Sequence, residues 1–114
     1  MPLSVNNSIS ALRAFAIKQN VTANNIANSE NQGFKKSRAV LEEDSTGAVT
    51  TKILPVNTPG TMISQPDGSL EETSNVDLIQ DTTDMITTRH AYEANLKALK
   101  ISTEMEDTVL DLIG

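Results

Sequence analysis

Any chemistry in this chain would have to start from its single histidine, His90, and the carboxylates within reach of it. A metal site needs several ligands converging on one ion. One helical turn after His90 offers only Glu93, because the i+4 residue is Ala94, and the turn before offers Ile86 and Thr87. His90 therefore reads as a helix-surface or subunit-contact residue. Glu104, Glu106 and Asp107 lack the glycine-bearing loop of a calcium site and read as a solvated helix face. Glu42-Glu43-Asp44 reads as an exposed turn, and paired carboxylates for glycoside hydrolysis need a cleft that nothing in the pattern forecasts. The sequence has no phosphate-cradling glycine loop, no nucleophile elbow and no H-E-x-x-H. Asn20-Val21-Thr22 matches a glycosylation acceptor but falls inside a helical pattern. The residues predict no catalysis, no metal and no cofactor.

The elements that position these residues are two long helices with a polar middle. Val5, Ile9, Leu12, Ala16, Ala23 and Ile26, with Gln19 filling one gap, alternate spacings of four and three, the stripe of a helix packed along a seam. Asn6 or Asn7 is expected to cap its start, and Asn28-Ser29-Glu30-Asn31-Gln32-Gly33 to end it. Residues 34–73 read as loop and short strands. Ala48 to Val56 pairs with Lys35 to Glu42 across Asp44-Ser45-Thr46-Gly47, and Gln65-Pro66-Asp67-Gly68 is a turn. Ser74 is expected to cap a second helix, with Asp77 completing the capping pattern. Leu78, Met85, Tyr92, Leu96 and Leu99 form its stripe, continued by Ile101, Met105, Val109 and Leu112, and Glu93 and Lys97 form an i,i+4 pair. Nothing interrupts the pattern from Val76 to Ile113, about 38 residues or roughly 57 Å of helix. The expected fold is mainly α: amphipathic terminal helices form a coiled-coil layer, with a small β-rich excursion between. The divisions are 1–33, 34–73 and 74–114. Neither stripe is expected to find enough cover within the chain.

Composition narrows the function. At 114 residues the chain is one domain at most, with three aromatic residues and no Trp, so a well-filled core is hard to build. The formal charge of −6 argues against nucleic acid and against an anionic membrane surface. With no cysteine, disulfides and thiolate sites are excluded. The N-terminal Met1-Pro2-Leu3-Ser4-Val5-Asn6-Asn7 lacks the basic and apolar regions of a secretory signal. No stretch approaches the ~20 apolar residues of a membrane span. Direct membrane insertion is not expected, and departure from the cytoplasm would use a route without a cleaved signal.

Asn24, Asn25 and Asn28 cost helix propensity and so ask for a reason. A fraying helix end with capping side chains accounts for Asn28. Asn24 and Asn25 precede Ile26, still on the stripe, and amides there can bond across subunits and fix register, as a buried polar residue does in coiled coils. The register reading is the better fit for those two.

Ala23-Asn24-Asn25-Ile26-Ala27-Asn28, followed by Gly33-Phe34-Lys35, resembles the A-N-N-I-A-N-x-x-T-x-G-F-K signature of flagellar basal-body rod and hook proteins. Ser74-Asn75-Val76-Asp77-Leu78, Met85-Ile86, Arg89, Ala91-Tyr92-Glu93-Ala94-Asn95 and Lys97 resemble the family's C-terminal segment. The resemblance covers about two-thirds of the chain. It implies a structural subunit of the axial drive shaft, with terminal helices packed as the inner layer of a helical tube in the periplasm. It also implies export by the flagellar type III apparatus without a cleaved signal, and partners that are other rod subunits and copies of the chain itself. The chain departs from the pattern at Asn31, where the family usually has Thr, and at Gln80-Asp81-Thr82-Thr83, where two Thr weaken the stripe. The short middle and the Asn75-Val76-Asp77 entry are most similar to the proximal-rod protein C type. The assembly interface expected from stripe and signature together comprises Ile9, Leu12, Ala16, Ala23, Asn24, Asn25, Ile26, Asn28, Leu78, Met85, Tyr92, Asn95, Leu96, Leu99, Met105, Val109 and Leu112. The competing reading is a free-standing coiled-coil adaptor or export-related binding protein that closes into a small oligomer.

Overall fold

The computed structural model describes residues 3–114; Met1 and Pro2, part of the segment expected to lack a secretory signal, lie outside the described residues. The chain runs as helix α1 (Leu3–Ala27), strands β1 (Ser37–Glu43), β2 (Val49–Pro55), β3 (Met62–Ser64) and β4 (Leu70–Glu72), and helix α2 (Leu78–Ile113). Terminal helices with a small β middle are the expected architecture. Its extents are 79 × 25 × 14 Å, with a radius of gyration of 20.1 Å, against about 13 Å for a compact domain of this length.

α1 and α2 pack antiparallel. Asn95 Nδ2 donates to the Ser8 carbonyl at 2.9 Å and Gln19 Nε2 to the Met85 carbonyl at 3.4 Å. These two bonds fix the register, because a later residue of α1 meets an earlier one of α2. At about 1.5 Å per residue, the 25 residues of α1 span roughly 37 Å and the 36 of α2 roughly 54 Å. The difference is an overhang, and every residue from Thr103 to Gly114 is exposed.

The β1–β2 hairpin lies along the other side of α1 and makes no contact with α2. Its register pairs Ser37 with Pro55, Val40 with Lys52 and Glu43 with Val49, as the sequence predicts within two residues at each end. Asn25 and Ser37 hold one end of it to α1 through Asn25 Nδ2 to the Ser37 carbonyl (2.8 Å) and Ser37 N–H to Asn25 Oδ1 (3.1 Å). At the other end the Val49 N–H donates to Ser10 Oγ (2.9 Å) and Asn7 Nδ2 to the Thr46 carbonyl (3.3 Å). α1 is thus clasped between α2 and the hairpin. The expectation that both helices lack intrachain cover is corrected for α1 and holds for the end of α2.

Three local expectations are also corrected. α1 begins at Leu3, so Asn6 and Asn7 lie inside it and cap nothing. Asp77, not Ser74, is the N-cap of α2: its carboxylate accepts from the N–H groups of Ile79 and Gln80, both at 3.1 Å, satisfying two otherwise orphaned donors. Glu93 pairs with Arg89 at 3.0 Å rather than with Lys97. The Gln65–Gly68 turn is where the sequence places it, but it closes a second hairpin that the sequence reading missed, β3 with β4, in which Ile63 faces Glu71. That hairpin contacts no other strand or helix among the described residues.

This geometry makes a direct prediction. In native-state hydrogen exchange, α2 amides from Asp81 to Leu99 should be protected, and those beyond Thr103 should exchange orders of magnitude faster, because an unpacked helix end is marginal in water. Uniform protection along α2 would contradict the overhang.

Candidate assembly surface and the junction that sets it

α1 ends through consecutive turns. Asn28 N–H reaches the Asn24 carbonyl (3.1 Å), Ser29 N–H that of Ile26 (3.1 Å) and Asn31 N–H that of Asn28 (3.0 Å). The amides reinforce them: Asn28 Nδ2 donates to the Asn24 carbonyl (2.9 Å) and to Asn24 Oδ1 (3.2 Å), and Asn31 Nδ2 donates to Asn28 Oδ1 (2.6 Å). The reversal is completed by Gly33 at φ +71°, a conformation that favours glycine.

The segment after Gly33 meets the segment before α2. Asn75 is the hub of that junction. Its N–H donates to the Phe34 carbonyl (3.2 Å), its Oδ1 accepts from the Lys36 N–H (2.7 Å), and its Nδ2 donates to the carbonyls of Val56 (2.8 Å) and Thr58 (2.9 Å). One residue therefore ties the approach to β1, the exit from β2 and the approach to α2. Around it Gly33 N–H donates to the Glu72 carbonyl (2.9 Å), Ser74 Oγ to the Ser29 carbonyl (2.6 Å), and Lys35 pairs with Glu72. Gly60 is packed so closely that a Cβ would lie 1.9 Å from the Thr73 carbonyl oxygen.

The α1–α2 seam is polar. Asp81 and Thr88 are buried and Asn95 and Ser102 half-buried, a seven-residue repeat, so these side chains share one face. Opposite them are Thr22, buried, and Gln19, half-buried. Burial pushes the Asp81 carboxyl above the ordinary aspartate value of 3.8; the charge of Lys36 pulls the other way, and Asp84 and Asp77 add to the rise. One Asp81 carboxylate oxygen is buried without a hydrogen-bond partner.

The expected interface residues separate into two groups. Asn25 is buried with both ends of its amide bonded to Ser37, and Asn95 is bonded to Ser8. The expectation that Asn25 reads register across subunits is corrected: it reads the register of the hairpin on α1. Ile9, Leu12, Ile26, Met85, Leu99 and Asn28 are half-buried. Ala16, Ala23 and Asn24 on α1, and Leu78, Tyr92, Leu96, Met105, Val109 and Leu112 on α2, are exposed. Sequence reasoning left Asn75, Gln19, Asp81 and Thr88 out of the site because a search for apolar stripes passes over polar positions. The seven-residue polar repeat was the signal that would have found the seam. The exposed apolar surface is also wider than the expected stripe and includes Ile79, Ile86, Ile101, Leu110 and Ile113. A groove of about 390 Å³ opens between the helices, lined by Phe15, Ala16, Gln19 and Asn20 of α1 and by Thr88, Arg89, Tyr92, Glu93 and Leu96 of α2.

Among the described residues no three His, Cys, Asp or Glu side chains gather to hold a metal, His90 is exposed, and no helix is long and apolar enough to cross a membrane. What the fold presents is an elongated, two-helix subunit with an open apolar flank. Two family models match it. Residues 6–35 match the one described as flagella basal body rod protein, and residues 67–112 match flagellar basal body rod FlgEFG protein C-terminal. The two matches span about two-thirds of the sequence, and the chain belongs to the flagellar basal-body rod protein family. No curated protein matches the sequence. The two matched segments are the ones the Asn75 junction joins.

Two predictions follow from the junction and the seam. Asn75→Ala removes the side-chain hydrogen bonds to Lys36, Val56 and Thr58 and leaves partly buried backbone groups unpaired. It should cost about 2–4 kcal/mol in urea unfolding, given ~1 kcal/mol per net bond and more for orphaned groups; a loss below ~0.5 kcal/mol would refute the hub. For Asp81, the raised folded-state pKa means that its stabilising contribution is complete below 3.8 and is lost as pH rises through the raised value. Asp81→Asn should therefore raise the melting temperature at neutral pH, with the gain vanishing below pH 3.8. A lower melting temperature at neutral pH would show that Asp81 is held by an attraction stronger than its burial.

Proposed function

We propose that the chain is a structural subunit of the flagellar basal-body rod, of the proximal-rod type, and that it has no catalytic role. It assembles with other rod subunits and with copies of itself through the outward faces of α1 and α2. In this reading the exposed part of the expected interface is the assembly contact: Ala16, Ala23 and Asn24 on α1, and Leu78, Tyr92, Leu96, Met105, Val109 and Leu112 on α2. The half-buried part, with Asn25 and Asn95, holds the subunit in the shape that presents it. Export through the flagellar type III apparatus without a cleaved signal, and residence in the periplasmic rod, complete the proposal.

The observation that carries it is the uncovered apolar flank of α2, joined to family membership. The accessible surface is 7855 Å², against about 6,100 Å² for a compact monomer of this mass. The excess, roughly 1,750 Å², is about twice what one partner buries in a standard interface. A subunit with neighbours on more than one side has a use for that surface. A free-standing adaptor would close it in a single small oligomer.

The experiment is complementation of a deletion strain. Met105→Asp and Leu112→Asp alter exposed side chains, so the purified protein should keep its stability within about 0.5 kcal/mol. A charge desolvated at a subunit contact is costly, so both variants should abolish incorporation into basal bodies and swimming. Normal swimming with both would overturn the assembly surface, and normal swimming of the deletion strain itself would overturn the rod role.

A further inference from the structure

Among the described residues, the β3–β4 hairpin packs on no helix and no other strand. Its two three-residue strands nevertheless carry three large apolar side chains, all exposed: Met62 at 53 %, Ile63 at 47 % and Leu70 at 65 %. An isolated two-stranded hairpin is marginal in water unless something covers a face. The register sets Met62 against Glu72 and Ser64 against Leu70, so Met62 and Leu70 are diagonal neighbours on one face. At the base the Glu72 carbonyl accepts from the Gly33 N–H (2.9 Å) and Lys35 pairs with Glu72, which roots the hairpin where α2 begins. The groove between the helices of its own chain is out of reach. That groove starts at Thr88, roughly 15 Å along α2 from Leu78, whereas a three-residue strand spans about 10 Å.

The groove has the complementary character. Its volume of about 390 Å³, walled by Phe15, Ala16, Tyr92 and Leu96 among others, has room for a Met and a Leu side chain together. Charge matches as well. Residues 57–75, which carry the hairpin, contain Asp67, Glu71 and Glu72 and no basic residue. α1 contains Arg13 and Lys18 and no acidic residue. From Arg89 to Lys100, α2 has Arg89, Lys97 and Lys100 against Glu93 alone, and Glu93 is already paired with Arg89. Lys97 and Lys100 lie one turn beyond Glu93 and Leu96, and Arg13 one turn before Ala16, so all three continue the flanks past the same end of the groove. At the hairpin turn the Asp67 carboxylate accepts from Ser69 Oγ (2.6 Å) and the Ser69 N–H (2.9 Å). These bonds hold its carboxyl below the ordinary value of 3.8 and keep it charged. The α2 overhang offers the hairpin no such match, because Glu104, Glu106, Asp107 and Asp111 would set acid beside acid.

We propose that in the assembly the β3–β4 hairpin of one copy docks through Met62 and Leu70 into the α1–α2 groove of a second copy, with Asp67 beside the basic flank of Arg13, Lys97 and Lys100. This inference rests on the reading that the chain assembles with copies of itself. Hairpin and groove are different patches of one molecule, so the contact is heterologous and does not close in pairs. Each copy gives one hairpin and receives one, and the β middle joins neighbours while the terminal helices shape the receiving groove.

Cross-linking in basal bodies purified from cells that make the full chain tests this, because the natural chain has no cysteine. With Leu70→Cys and Ala16→Cys in the same chain, a short bis-maleimide should give covalent dimers and longer multimers. Neither substitution alone should do so. Exchanging Leu70→Cys for Met105→Cys tests the other occupant: cross-links from Met105 and none from Leu70 would give the groove to the overhang and overturn the proposal. A second set of variants needs no cysteine. Asp67→Lys should lower the amount of chain in basal bodies about fivefold, since an exposed attraction becomes a repulsion. Lys97→Glu should do the same, and the two together should restore it; failure to restore would overturn the charge pairing on which the docking rests. Leu70→Asp should abolish incorporation while the level of the chain in the cell is unchanged. Normal incorporation of Leu70→Asp, or basal bodies that hold the double-cysteine chain without cross-links, would overturn the hairpin contact and leave the rod reading standing. Absence of the unaltered chain from basal bodies would overturn the rod reading itself.

Discussion

The structure depends on one crossing point, where Asn75 fastens the approach to α2 to the backbone that leaves α1 and flanks the β1–β2 hairpin. A helix cannot be aimed from its own hydrogen bonds alone; its direction is set by what grips its ends. Here the grip is an amide using its donors and its acceptor on backbone groups from separate segments, reinforced by Asp77 as the N-cap one turn before Asp81. With that end fixed, Gln19 and Asn95 set the antiparallel register. The register leaves the last residues of α2 beyond the reach of α1. The overhang is thus a consequence of the junction and of helix length.

The distribution of polarity follows the same logic. A chain meant to stand alone would put its largest apolar side chains on the α1–α2 seam. This one puts Asp81, Thr88, Asn95 and Ser102 there and leaves Ile79, Ile86, Ile101, Met105 and Leu112 outside. Side-chain amides bonded to carbonyls of the facing helix give the seam geometric specificity but little net stability, since each such bond contributes about 1 kcal/mol. Buried apolar side chains contribute about 1.5–3 kcal/mol each, and here most of them await a neighbour. The intrachain fold sets the shape, and in the proposed assembly burial between subunits would supply the larger share of stabilisation.

Much of the fold was legible in the sequence, and the reasons for success and failure are physical. Unbroken periodicity between Val76 and Ile113 marked α2, and the Gln65–Gly68 turn and the β1–β2 pairing carried their own turn chemistry. The rotation of α1 was legible only in part: Val5 of its predicted stripe is buried and Gln19 bonds to α2, yet the helix is clasped on two sides and Ala16 and Ala23 of the same stripe are exposed. Tertiary bonds from Asn7, Ser10 and Asn25 to the hairpin, separated by up to 39 residues, decide that rotation, and helical spacing cannot express them. The asparagines were recognised as costly. Their use within the chain was not, because an amide that fixes a hairpin and one that fixes a neighbouring subunit look alike in sequence. Asn75 lay within a recognised motif without a role, and only the meeting of the two motifs supplied one.

The central claim is that the outward flank of α2 is covered by neighbouring subunits in the assembled rod. The chain contains no cysteine, so a single Met105→Cys substitution can report on that flank through maleimide labelling. The dilute free protein should label rapidly, and the same cysteine in purified basal bodies should be protected by orders of magnitude, becoming reactive again when the rods are dissociated. Equal labelling of free and assembled protein would mean that the flank faces solvent in the rod, and would contradict the account.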